Sequence, residues 1–232
     1  MNYRYLLFDA DGTLFDFEKT ERQAFQDTME KYGVAFSEEN LELYSSINIR
    51  YWKKLEKGLI TKDALLPKRY QDFLEEIGRT DLSAEALNST YLSRLGEYSF
   101  LFPQSLPLCQ KLSEKYVLLL VTNGVYSTQI SRFNRSRIKP YFQDMIVSEK
   151  IGYTKPDPRY FDHVFQKYSI ENKSHAMIIG DSLSADIKGG REYGIDTCYY
   201  NPSKTPVPPG TCTYEISELE ELLLILGEKD KG

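Results

Sequence analysis

Two carboxylates one residue apart, Asp9 and Asp11, end a short apolar run, Tyr5-Leu6-Leu7-Phe8, and lead into Gly12-Thr13. Adjacent carboxylates repel, so such a pair implies a cation or a shared proton. Three further polar groups follow apolar runs or tight turns. Thr122-Asn123-Gly124 comes after Val117 to Val121, Lys155 opens a Lys-Pro-Asp-Pro turn, and Ile178-Ile179 runs into Gly180-Asp181-Ser182, with Asp186 five residues after Asp181. Asp9, Asp11 and Asp181 offer hard oxygen ligands with no soft ligand beside them. That donor set suits Mg²⁺, with Mn²⁺ as a substitute, held through few carboxylates plus phosphate. A cation beside Asp9 also lets a carboxylate approach an anionic phosphoryl group. Thr122 and Asn123 can donate hydrogen bonds to phosphoryl oxygens, and Lys155 adds a positive point charge.

Each piece has an ordinary reading when taken alone. Thr-Asn-Gly is a common turn, a lone lysine usually sits at the surface, and Asp and Ser favour helix starts anyway. The paired Asp9 and Asp11 are harder to dismiss, because unpaired buried carboxylates are costly. Order, position and chemical type agree across all four segments.

The elements that must position these groups form an α/β pattern. Apolar, β-rich runs occur at Arg4 to Phe8, Val117 to Thr122, Met145 to Val147, Ala176 to Gly180 and Thr197 to Tyr200. Helical patterns separate the last four, which predicts a parallel sheet with helices on both faces. In such a sheet the carboxyl ends of the strands point one way, so the four segments can converge on one crevice. With an extended backbone, Asp9 and Asp11 would also share a face.

The interval after the first strand carries helix patterns and no convincing strand. It predicts an inserted helical domain over residues 16–99, between core segments 1–15 and 100–232. Helices are expected from about Glu18 to Tyr32 and from Glu38 to Lys57, then after Thr61 as N-cap, and from near Ser83. Pro67 predicts a kink or restart in the third helix. Asn48 falls within the apolar stripe of the second helix and Arg69 beside that of the third. A polar group there is either hydrogen-bonded in the core or looking into a cleft. Beyond Thr197 the chain reads as loop, with Pro202, Pro206, Pro208 and Pro209, until Ser217 and Glu220 suggest a capping box for a last helix.

Composition narrows the class. The net charge is -5, from 29 basic and 34 acidic residues, and no basic tract stands out, which argues against a nucleic-acid partner. The apolar runs are too short to span a bilayer, and the residues before the first strand have no signal-peptide layout. Three scattered cysteines (Cys109, Cys198, Cys212) fit a reducing cytoplasm, and two histidines make no zinc site.

The four segments, in this order, resemble the haloacid dehalogenase superfamily of phosphohydrolases along the whole chain. The insertion resembles the helical cap of one subgroup. Asn48-x-x-x-Trp52, Gly58-x-Ile60-Thr61 and Arg69-Tyr70 look like the bacterial noncanonical pyrimidine 5′-nucleotidases. So do Gly180 to Gly190 and Asp196 to Pro202. The resemblance implies a Rossmann-like parallel core and Mg²⁺-dependent hydrolysis of a small phosphomonoester, with a nucleoside monophosphate as substrate. By it, Asp9 is the nucleophile and Asp11 the proton carrier, and Lys155 assists. Mg²⁺ is held by the Asp9 side chain, the Asp11 carbonyl and Asp181, and Asp186 orients that shell or Lys155. Asn48, Trp52 and Arg69 are the cap residues expected near substrate. Rival readings are a sugar-phosphate phosphatase or phosphomutase, a dehalogenase, a phosphonatase using Lys53, Lys54 or Lys57, and a silent phosphate-sensing or protein-binding module.

Overall fold

The structure, a computed structural model, describes residues 2–228. Six strands form one sheet: β1 (Tyr5–Phe8), β2 (Val117–Thr122), β3 (Asp144–Val147), β4 (Ala176–Gly180), β5 (Asp196–Tyr200) and β6 (Tyr214–Ile216). Their spatial order is β3-β2-β1-β4-β5-β6, and every pairing is parallel. The chain winds outward from β1 in both directions, so the switch point of the topology lies at β1. Phe8, the last residue of β1, pairs with Leu120 on one side and Ile179 on the other.

Five strands were expected. The sixth, β6, lies where the sequence reads as loop. It is three residues long, follows a proline-rich stretch, and sits at the sheet edge, so it makes no apolar run. Reciprocal hydrogen bonds between Thr197 and Thr213 lead it into register with β5.

The described residues form two compact units, one of residues 2–17 and 99–228 and one of residues 18–98. The smaller unit is helical. It contains α1 (Phe17–Lys31, entering from the first unit), α2 (Glu38–Glu56), α3 (Lys62–Glu76) and α4 (Ala84–Glu97). Ser37, Thr61 and Ser83 cap α2, α3 and α4, each accepting a backbone N–H of the first turn. The core of this unit is aromatic. Tyr44 contacts Phe25, Tyr70, Phe73 and Tyr91, with ring centroids 4.7–5.8 Å apart. Pro67 does not restart α3, which runs unbroken across it. Burial of Leu65, Tyr70, Phe73 and Leu74 along one face outweighs the cost of about 3 kcal/mol for an interior proline.

The larger unit adds α5 (Ser105–Leu112), α6 (Tyr126–Arg135), α7 (Ser148–Ile151), α8 (Pro158–Lys167), α9 (Lys188–Tyr193) and α10 (Glu221–Ile225). Alternation along the strands fills two cores. Leu6, Phe8, Leu118, Leu120, Met177 and Ile179 pack with residues of α5, α6 and α10. Leu7, Leu119, Val121 and Ile178 pack against Tyr160, Phe161, Val164 and Phe165 of α8. This period of two is what a sheet covered on both faces requires. At α10, Glu221 and not Glu220 closes the cap, accepting from the Ser217 and Glu218 amides and the Ser217 hydroxyl. Glu220 itself stands just before the helix. No helix of the described residues is long and apolar enough to cross a membrane.

Candidate active site

The site residues of the larger unit stand at the carboxyl ends of β1, β2 and β4 and at the turn before α8. Asp9 follows β1 directly, and its N–H donates to the Ile179 carbonyl at 2.9 Å, which ties it to β4. Lys155 is buried, with 1% of its surface exposed. Its ammonium donates to Asp9 Oδ1 at 2.6 Å, to Asp186 Oδ1 at 2.7 Å and to the Val121 carbonyl at 2.8 Å. All three of its protons are thereby used. Burial alone would lower its pKa, but the carboxylates of Asp186 and Asp9 outweigh that and raise it, so it stays charged.

The carboxylates around it are in excess. Asp9, Asp181 and Asp186 each bring an oxygen within 4.8 Å of the others, and Lys155 is the cation among them. Burial raises Asp9 well above the ordinary carboxylate range, against the pull of Lys155, and Asp186 and Asp181 add to the rise. Burial, then the charge of Asp186, pushes Asp181 up to about 7. Such groups lack positive charge, which a divalent cation would supply. Asp181 keeps a partly exposed edge, and Thr13 Oγ1 fixes its Oδ1 at 3.0 Å. The set is all hard oxygen and suits Mg²⁺. Asp186 is fully engaged by Lys155 and by the Ser182 N–H at 3.2 Å, so Asp9 and Asp181 are the side chains better placed to bind a cation.

Gly12 belongs to this geometry. Its φ is +84°, and a Cβ there would lie 2.4 Å from Asp181 Oδ2. Only glycine permits the turn and the approach of Asp181 together.

One expectation needs correction. The backbone does not stay extended through Asp11. β1 ends at Phe8, and residues 10–15 fold into a tight loop in which Leu14 and Phe15 donate to the Ala10 carbonyl. Asp9 and Asp11 therefore meet different partners: Asp11 accepts from Gln129 Nε2 at 2.5 Å and from Arg132 Nη1. Asn123 joins its side-chain amide to the Lys155 main chain. It donates to the Lys155 carbonyl and accepts from the Lys155 N–H, both at 2.8 Å. It thus positions the lysine. Thr122 is buried, and its hydroxyl accepts from the Gly124 N–H at 3.0 Å.

The helical-unit candidates separate as well. Asn48 and Arg69 are each only 2% exposed. Arg69 donates to Asn48 Oδ1 at 2.7 Å and to Asn88 Oδ1 at 3.0 Å, and Asn48 donates to Glu21 Oε1 at 2.9 Å. Ser45 and Tyr91 complete the shell of Glu21. These groups answer one another inside the unit. Trp52 is half-buried, with the Lys62 ammonium 6.0 Å from its ring centre.

Sequence reading assigned no role to Thr13, Gln129 or Arg132. A signal existed for the last two, since Gln129 and Arg132 stand three apart on one helix and so share a face.

An open parallel sheet with a lysine-bound aspartate cluster at its carboxyl edge defines an α/β enzyme whose chemistry is carried by carboxylates. The chain belongs to the haloacid dehalogenase-like hydrolases, whose family profile matches residues 3–194. It is 39% identical to the putative HAD-hydrolase YfnB of Bacillus subtilis, over 97% of this chain and 95% of that protein. It is 33% identical to the pyrimidine 5′-nucleotidase PynA of Streptococcus pneumoniae (96% and 94%). It is 28% identical to the pyrimidine 5′-nucleotidase YjjG of Escherichia coli (97% and 99%). The crystal structure of YfnB bound to magnesium superposes with a TM-score of 0.91 at 37% identity, covering 98% of this chain and 100% of that one.

Proposed function

We propose that the protein is a Mg²⁺-dependent phosphomonoesterase acting on pyrimidine nucleoside 5′-monophosphates through an aspartyl-phosphate on Asp9. The observation that carries this reading is the surplus of buried carboxylate around Lys155. Two relatives named pyrimidine 5′-nucleotidases, matched over nearly the whole chain, support the choice of substrate.

Asp9 and Asp181, with the Asp11 main-chain carbonyl, are the groups that would hold Mg²⁺. When bound, the ion neutralises charge on the carboxylates and the phosphoryl group. Lys155 holds Asp9 Oδ1, which leaves the attack on phosphorus to Oδ2. The phosphorus–ester bond breaks, and its electron pair departs with the leaving oxygen, which takes a proton from Asp11. Asp11 then removes a proton from water, water attacks phosphorus, and the bond to Asp9 breaks to release phosphate. Lys155 and the main chain near Thr122 and Asn123 stabilise charge on the equatorial oxygens. Of the three helical-unit candidates, Trp52 alone keeps a partly exposed ring that could stack on a base.

The test is turnover of a panel of nucleoside monophosphates, including modified pyrimidines, and of sugar phosphates, with and without Mg²⁺. Preference for the pyrimidine monophosphates supports the reading. Preference for sugar phosphates would replace the substrate and keep the chemistry. No Mg²⁺-dependent release of phosphate from any ester would overturn both.

A further inference from the structure

Asp11 has the most demanding position in the proposed chemistry. It lies beyond the end of β1, on irregular backbone, with a quarter of its side chain exposed (25%). A proton carrier must meet the leaving oxygen and then a water in one orientation. The contacts that orient its carboxylate come from α6. Arg132 Nη1 donates to Oδ1, and Gln129 Nε2 donates to Oδ2 at 2.5 Å, so each carboxylate oxygen has its own partner.

Both partners are themselves fixed. Arg132 has 1% of its side chain exposed and lies 4.7 Å from the ring centre of Phe15, which is also buried. Gln129 is 4% exposed and passes directly over Gly124, where a Cβ would come within 2.3 Å of its Nε2. The glycine of Thr122-Asn123-Gly124 therefore makes room for the side chain that reaches Asp11. Burying a guanidinium is expensive, and stability alone would be served as well by an apolar residue of similar size.

We propose that Gln129 and Arg132 are positioning residues for Asp11, clamping its two oxygens so that proton transfer occurs in a single geometry. The inference rests on the reading of Asp11 as proton carrier. It goes beyond that reading by assigning a role to α6 and to Gly124.

The test exploits leaving-group chemistry. An alkyl phosphate such as uridine 5′-monophosphate, with glycerol 2-phosphate beside it, needs its leaving oxygen protonated, whereas p-nitrophenyl phosphate departs as a stable phenolate. The kcat/KM of each substrate reports steps up to the formation of the aspartyl-phosphate. For Gln129→Met and Arg132→Met it should fall about 10²-fold on the alkyl esters and less than about threefold on p-nitrophenyl phosphate. Arg132→Lys keeps the charge without the fork and should fall between, which also serves if the methionine variant folds poorly. Because water activation slows too, p-nitrophenyl phosphate should show a burst of nitrophenolate. Equal losses on both ester types would overturn the clamp and leave only a packing role. Asp11→Asn is run in parallel. If it discriminates between the esters and the α6 variants do not, the clamp alone fails. If Asp11→Asn does not discriminate either, the assignment of Asp11 fails and the clamp goes with it.

Discussion

The protein has two buried polar clusters, one in each unit, and they are built on opposite principles. Around Lys155 stand three carboxylates, those of Asp9, Asp181 and Asp186, and burial raises the pKa of Asp9 and Asp181. In the helical unit the charge of Arg69 faces that of Glu21 through Asn48, with Ser45 and Tyr91 bonded to Glu21 and Asn88 to Arg69. Burial raises the Glu21 carboxyl as well, so depth does not distinguish the clusters. Charge balance does. The helical cluster is balanced in charge, which is how a fold tolerates buried charge. The sheet cluster sets three carboxyl groups against one ammonium, a surplus that a cation and an anionic substrate would complete. Excess charge marks the site, and balanced charge marks structure.

The largest effect expected from breaking this contrast is at Asp9. Asp9→Asn should lower turnover by at least about 10³-fold while the protein still melts cooperatively. Next comes the cation. Chelation should abolish turnover, and Mg²⁺ at about a hundred times its Kd should stabilise the protein by about 2.7 kcal/mol, read as a rise in Tm. Arg69→Met should leave that Mg²⁺-induced rise in place.

The same Arg69→Met substitution should cost about 3–5 kcal/mol in urea unfolding, because it strands Glu21 without its counter-charge. Adding Glu21→Leu should recover much of the loss, and kcat/KM per folded molecule should change little in either variant. A large kinetic loss with unchanged stability would put Arg69 back at the substrate. The smallest effect is expected at Trp52. Trp52→Ala should raise KM for a nucleoside monophosphate about tenfold relative to p-nitrophenyl phosphate, the scale of one base–aromatic stack, with little change in Tm.

The sheet was legible where physics writes it locally. β1, β2 and β4 are continuous apolar runs ending in polar motifs, because both faces are buried and the ends form a crevice. β6 was not legible, since three residues at an edge carry no periodic signal. Caps at Ser37, Thr61 and Ser83 follow from side-chain chemistry within one turn, and Thr61 and Ser83 were readable in advance. Long-range pairing was not. The links from Asn48 to Glu21 and from Arg69 to Asn48 join different helices, so no local pattern announces them. Gln129 and Arg132 went unassigned because their target, Asp11, is more than a hundred residues earlier in the chain. The tight loop after Phe8 likewise depends on space beside Asp181 that only the folded sheet defines.

The central claim is that Asp9, one of the two carboxylates held by Lys155, takes the phosphoryl group. Rapid acid quench during turnover of radiolabelled substrate, followed by borohydride reduction and peptide mapping, tests it directly. The account predicts label on Asp9, with homoserine in its place after reduction. Label on Asp11 in place of Asp9, or homoserine at neither position under conditions that trap the intermediate, would contradict it.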